Sequence, residues 1–89
     1  MTNTENKEQI LTPQERKERF ITDLQSKIEK KFDDGRLTAL FETSSCAPAY
    51  GWSVEEYMYM PIVADRLRAK GYQVSSSVNH GVTDWKIAL

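Results

Sequence analysis

Residues 72–89, "YQVSSSVNHGVTDWKIAL", alternate in a way that leaves little choice of local structure. Tyr72, Val74 and Val78 are interleaved with Gln73, Ser75 and Ser77, and after "NHG" the residues Thr83, Trp85, Ile87 and Leu89 are spaced by two. Period-two alternation on both sides of a short polar Gly-containing stretch reads as two strands joined by a tight turn. Whatever precedes this hairpin must cover its apolar face.

Two helices are marked by their starts. Thr12 is placed as an N-cap, Pro13 suits the first helical position, and Glu15 stands three residues after the cap, as a capping box requires. Phe20, Leu24, Ile28 and Phe32 then recur every fourth residue, with Ile21 beside them, and Asp33, Asp34 and Gly35 end the pattern. Glu15 with Arg19 and Asp23 with Lys27 are spaced to pair across a turn on the solvated face. The second helix reads from Ser53 to Lys70: Ser53 and Glu56 form a second capping box, and Trp52 and Tyr57 are spaced as a hydrophobic staple. Glu55 and Glu56 sit at its positive end, Arg66, Arg68 and Lys70 at its negative end, and Gly71 just beyond. Met60, Val63, Ala64 and Leu67 form its inward stripe. Pro61 inside the helix removes a hydrogen bond and costs about 3 kcal/mol if uncompensated, which predicts a kink or restart near Met60.

Between the helices, "RLTALFETS" reads as a strand, with Leu37, Ala39 and Phe41 on one face and Leu40 partly buried on the other. The order is helix, strand, helix, strand, strand. A right-handed crossover makes the first two strands parallel. The third strand then fits between them, giving an α+β fold with a three-stranded antiparallel sheet in order 1-3-2, both helices on one face, and "SSS" on the face left to water. Residues 1–11 are too polar to offset the entropy of ordering them and read as a mobile tail, residues 12–89 as a single domain.

Composition narrows the function. Twelve basic against thirteen acidic residues give no bulk attraction for nucleic acid. No apolar run approaches the roughly 20 residues that span a bilayer, and the first residues lack the signature of a secretory signal. A cytoplasmic chain is expected. One cysteine cannot form an intrachain disulfide, and one cysteine with one histidine falls short of the usual ligand set of a zinc site, so neither metal nor cofactor is expected.

"ETSSCAPAYGWSVEE", residues 42–56, concentrates the chemistry. In the expected topology the exit of the first strand and the "NHG" turn emerge at the same end of the sheet, which makes Cys46 and His80 neighbours, with Asp84 placed to orient the histidine. A thiol next to a base and a helix N-terminus is the arrangement of a thiol hydrolase or transferase. The plainer reading makes Cys46 a small part-buried residue and His80 a turn residue that tolerates unusual backbone angles. Tyr50, Trp52, Tyr57, Met58 and Tyr59 are the other candidates. Positions 57–60 wrap around more than one face of a helix, so some of these side chains are exposed, and Tyr, Trp and Met are favoured at protein contacts. A protein partner docking on the start of the second helix is the leading reading, for a monomer or weak homo-oligomer.

The ending "LRAKGYQVSSSVNHGVTDWKIAL" resembles that of many short bacteriophage-encoded proteins, in which a helix, a Gly-Tyr corner and a terminal hairpin finishing in Trp-x-Ile recur, and "IEKKFDDGRLTALFE" is similar in order and length. The resemblance carries no catalytic motif. It implies a small viral accessory protein that binds a host or phage macromolecule, or a minor component of the particle.

Overall fold

The polar start of the chain gives way to helix α1, Pro13–Glu29, at the point where the capping signals begin. A computed structural model describes residues 11–89, without the side chains of Ala47 and Tyr50; residues 1–10, most of the segment read as a mobile tail, lie outside the described residues. Thr12 Oγ1 accepts from the Glu15 backbone N–H (3.1 Å), and Glu15 Oε1 accepts from the Thr12 N–H (2.9 Å), so the box is complete. These bonds hold the Glu15 carboxyl below its ordinary pKa. The helix tightens into a 3-10 turn at Lys30–Phe32 and is released at Gly35, whose φ of +88° suits glycine.

Strand β1, Thr38–Ser44, leads through a single helical turn, Ala47–Tyr50, into helix α2, Val54–Ala69. Strands β2, Gln73–Asn79, and β3, Val82–Ala88, complete the fold. The sheet order is β1-β3-β2, antiparallel throughout, as the crossover argument requires. Asn79 faces Val82, leaving His80 and Gly81 (φ 54° and 79°) as a two-residue turn of the kind that matches strand twist.

Register sorts the side chains. Ala39, Ile87 and Val74 lie abreast on the helix side, as do Phe41, Trp85 and Ser76. Ile21, Leu24 and Ile28 of α1 and Met60, Val63, Ala64 and Leu67 of α2 close over Trp85 and Ile87 to form one core. The Trp85 indole N–H donates to Thr43 Oγ1 (3.0 Å), which satisfies two buried polar groups at once. At the far end, Glu29 accepts from Lys70 Nζ (2.8 Å), Gln25 Nε2 (3.0 Å) and Tyr72 Oη (3.2 Å), tying the ends of both helices to the start of β2. Burial pushes the Glu29 carboxyl up, but the bonds from Lys70, Gln25 and Tyr72 outweigh it and leave the group below its ordinary pKa.

Several local expectations are corrected. Leu40 lies on the open face and is 70% exposed, and Leu37, ahead of β1, is 74% exposed, because no layer covers those positions. Val78 points to the helix side but is 72% exposed, since the helices do not reach the turn end of the edge strand. Only Ser75 and Ser77 of "SSS" share the open face. Glu56 does not close a capping box: Ser53 Oγ accepts from its N–H (3.2 Å), while its carboxylate pairs with Lys27 of α1 (3.5 Å). That pairing displaces the expected Asp23–Lys27 bridge, as the Thr12 box displaces Glu15–Arg19. Helix α2 runs through Pro61 without a restart. The proline is on the exposed side, where the Tyr57 carbonyl it leaves without an N–H can turn to water.

Two measurements check this architecture. Leu67→Ala, in the fully buried stripe, is expected to cost about 2 to 5 kcal/mol in urea unfolding, whereas Leu40→Ser stays within about 0.5 kcal/mol; equal losses would place a covering layer on the open face. The second concerns acid. Because the folded Glu29 carboxyl lies below its unfolded value, its contribution is present at neutral pH and lost as pH falls from about 5 through the folded value. Urea midpoints of wild type and Glu29→Gln therefore differ at pH 7 and converge at low pH.

Candidate functional site

The exit of β1 is clasped onto the β2–β3 turn. The Gly81 carbonyl accepts from Ser44 Oγ (3.1 Å), from the Ser45 N–H (3.0 Å) and from Ser45 Oγ (3.2 Å), and Ser44 Oγ in turn accepts from the Cys46 N–H (3.0 Å). A Cβ on Gly81 would stand 3.1 Å from Ser45 Oγ and 3.7 Å from Cys46 Sγ. Cys46 is therefore beside the turn, as the parallel course of β1 and β2 predicts, and it is exposed rather than part-buried.

Among the described residues no hydrogen bond joins the Cys46 thiol to His80 or His80 to Asp84. Asp84 lies on the open face of the sheet between Glu42 and Ser77. The positive end of α2 is already faced by Glu55 and Glu56 and capped by Ser53. A shallow hollow of about 400 Å³ lies elsewhere, between the ends of the helices, where Gln25, Glu29, Asp33 and Lys70 line it. No group of three His, Cys, Asp or Glu among the described residues is arranged to hold a metal ion. His80 instead has a conformational task, because it is the one non-glycine residue with positive φ among the described residues.

The aromatic segment divides by helix geometry. Tyr59 turns toward α1, its ring 5.8 Å from that of Phe20 and under Lys17 Nζ at 5.8 Å. Met60 is in the core and Trp52 is half-buried; the Tyr50 side chain lies outside the described residues. Tyr57 and Met58 are 41% and 55% exposed, and Val54 is 42% exposed. Val54, Tyr57, Met58 and Pro61 follow the i, i+3, i+4, i+7 spacing of one helix face. Four nonpolar or aromatic side chains thus form an exposed stripe beside the face that Met60, Val63, Ala64 and Leu67 give to the core. Val54 and Pro61 are not among the binding residues expected from sequence, although their spacing from Tyr57 and Met58 carries the signal.

One flank of this stripe overhangs the sheet edge. Arg68 Nη2 and Nε donate to the Val74 carbonyl of β2 (2.9 and 3.3 Å), and Tyr57 and Pro61 precede Arg68 by eleven and seven residues, on the same side of the helix.

No family model, curated protein or solved structure matches this chain.

If His80 serves the turn, His80→Asn keeps or raises stability, whereas His80→Val, with a β-branched side chain at positive φ, loses about 1 to 2 kcal/mol. Thermal unfolding of the two variants decides. A large loss in His80→Asn would assign the imidazole some other task.

Proposed function

We propose that this chain is a small interaction protein, a phage accessory protein acting in the cytoplasm of a bacterial host, that docks a host or phage protein through the start of α2. The observation that carries the reading is the second apolar face of α2. A helix packed on one side needs only one such face, and Met60, Val63, Ala64 and Leu67 already supply it at 0–1% exposure. Val54, Tyr57, Met58 and Pro61 add apolar surface beside it that stays exposed.

The chemistry of the stripe suits protein rather than nucleic acid. Met58 is flexible and polarisable, and Tyr57 offers a rigid ring with a polar tip, the combination favoured where one surface must fit another. The nearest basic side chain on that flank, Arg68, is held by Asp65 and the Val74 carbonyl rather than offered to phosphate. Two turns of helix make a small contact, so the partner supplies a concave apolar site that receives the stripe as a helix in a groove. The separation of Tyr57 from Tyr59 makes the reading specific: the first faces outward, the second holds α1.

The test is capture of a partner from host lysate by wild type and by a Tyr57→Ser, Met58→Ser variant, followed by affinity measurement with the purified partner. The variant is expected to fold normally and to lose at least about tenfold in affinity, in line with the loss of central anchors. Equal affinity would remove the stripe from the interface.

A further inference from the structure

We infer that the free edge of β2 pairs with β2 of a second copy of this chain, joining two three-stranded sheets into one of six strands about a two-fold axis at Ser76. The two-residue turn makes Asn79 and Val82 a hydrogen-bonded pair, and such pairs alternate along an antiparallel ladder. Asn79, Ser77, Ser75 and Gln73 therefore direct their N–H and C=O groups at β3. Val74, Ser76 and Val78 direct theirs out of the sheet, and the Arg68 bond to the Val74 carbonyl agrees with this assignment. By the same alternation the outward residues of β1 are Thr38, Leu40, Glu42 and Ser44, and Lys31 Nζ donates to the outward Leu40 carbonyl (3.3 Å).

The two edges differ in protection. Beside β1 stand the ammonium of Lys31 and the carboxylate of Glu42, charges that discourage another strand from pairing there. On β2, Arg68 guards Val74 alone. From Ser75 to Asn79 the strand is exposed and carries no charge or proline.

The sequence of β2 identifies the occupant. "QVSSSVN" reads nearly the same in both directions about Ser76. Antiparallel pairing centred there sets Val74 opposite the second copy's Val78, Ser76 opposite its own equivalent, and Gln73 opposite Asn79. Every outward N–H meets an outward C=O, and each exposed Val78 gains an apolar neighbour at no electrostatic cost. Directly opposed residues share a face, so both helix layers lie on the same side of the joined sheet. An interface limited to one strand and its borders falls below about 1,200 Å², which sets the association at the weak end. This inference rests on β2 and does not depend on the docking reading of α2.

Sedimentation equilibrium from about 10 μM to 1 mM tests it. Wild type is expected to approach a dimer as concentration rises, and Arg68→Ala, which frees the Val74 carbonyl, to dimerise at lower concentration. Ser76→Pro removes an outward N–H without touching the ladder to β3 and should remain monomeric with an unchanged circular dichroism spectrum. If that variant does not fold, Ser76→Lys and Ser76→Glu serve instead. Each alone places like charges across the axis, while their mixture pairs about tenfold more tightly than either. A chain that is monomeric at 1 mM both as wild type and as Arg68→Ala overturns the inference, as does a dimer unaffected by these Ser76 changes.

Discussion

Trp85 and Ile87 on the central strand lie under the buried stripe of α2, and the remainder of the structure is arranged around that contact. β3 is the one strand with neighbours on both sides, so its apolar residues are the natural floor of the core. Met60, Val63, Ala64 and Leu67 close the roof. Helix α1 then leans on α2 through Phe20 and Tyr59, and three ion pairs, Glu18 with Arg66, Lys27 with Glu56 and Glu29 with Lys70, run along their seam. Those pairs are exposed enough to contribute more to register than to free energy. Leu67 is therefore a severe place for a cavity, whereas the seam tolerates change.

The same contact explains which features could be read from sequence. Period and capping act locally, and Thr12 with Glu15 formed as written because both partners lie within one turn of the chain. Ser53 and Glu56 carry the same signal, yet the carboxylate goes to Lys27, a residue twenty-nine positions away that only tertiary packing brings near. Leu37, Leu40 and Val78 mark the limit of strand alternation. A period of two states which residues share a face but not how far along the strand the covering layer extends. The parallel course of β1 and β2 was legible and correctly brought Cys46 to the turn. The clasp of Ser44 and Ser45 on Gly81 was not, since serine hydroxyls carry no periodic signal and the bonds span about thirty-six residues.

For the aromatic segment, sequence located the region and geometry chose its members. Tyr57 and Tyr59 are two residues apart, roughly 200° around the helix, so one of them had to face away from the other. The buried stripe of α2 runs between them, about 70° from Tyr57 and about 90° from Tyr59, and the α1 ring of Phe20 packs on the Tyr59 flank, while Tyr57 stays 41% exposed. Val54 and Pro61 then fall beside Tyr57. Pro61 is tolerated in mid-helix for the same reason, since its missing N–H affects a carbonyl on the watered side.

The stripe and the open edge of β2 are geometrically linked through Arg68. Its guanidinium reaches from the Tyr57–Pro61 flank of α2 to the Val74 carbonyl, so a protein seated on that flank and a second copy paired along β2 approach from the same side of the molecule. Arg68 belongs to both boundaries: releasing it would open the edge and also alter the polar border of the stripe. A partner that held Arg68 away from Val74 would favour the proposed strand pairing, and one that left the guanidinium in place but occupied the flank would obstruct it. The two proposed associations would therefore be coupled through a single side chain, with the sign of the coupling decided by where the partner puts its acceptors.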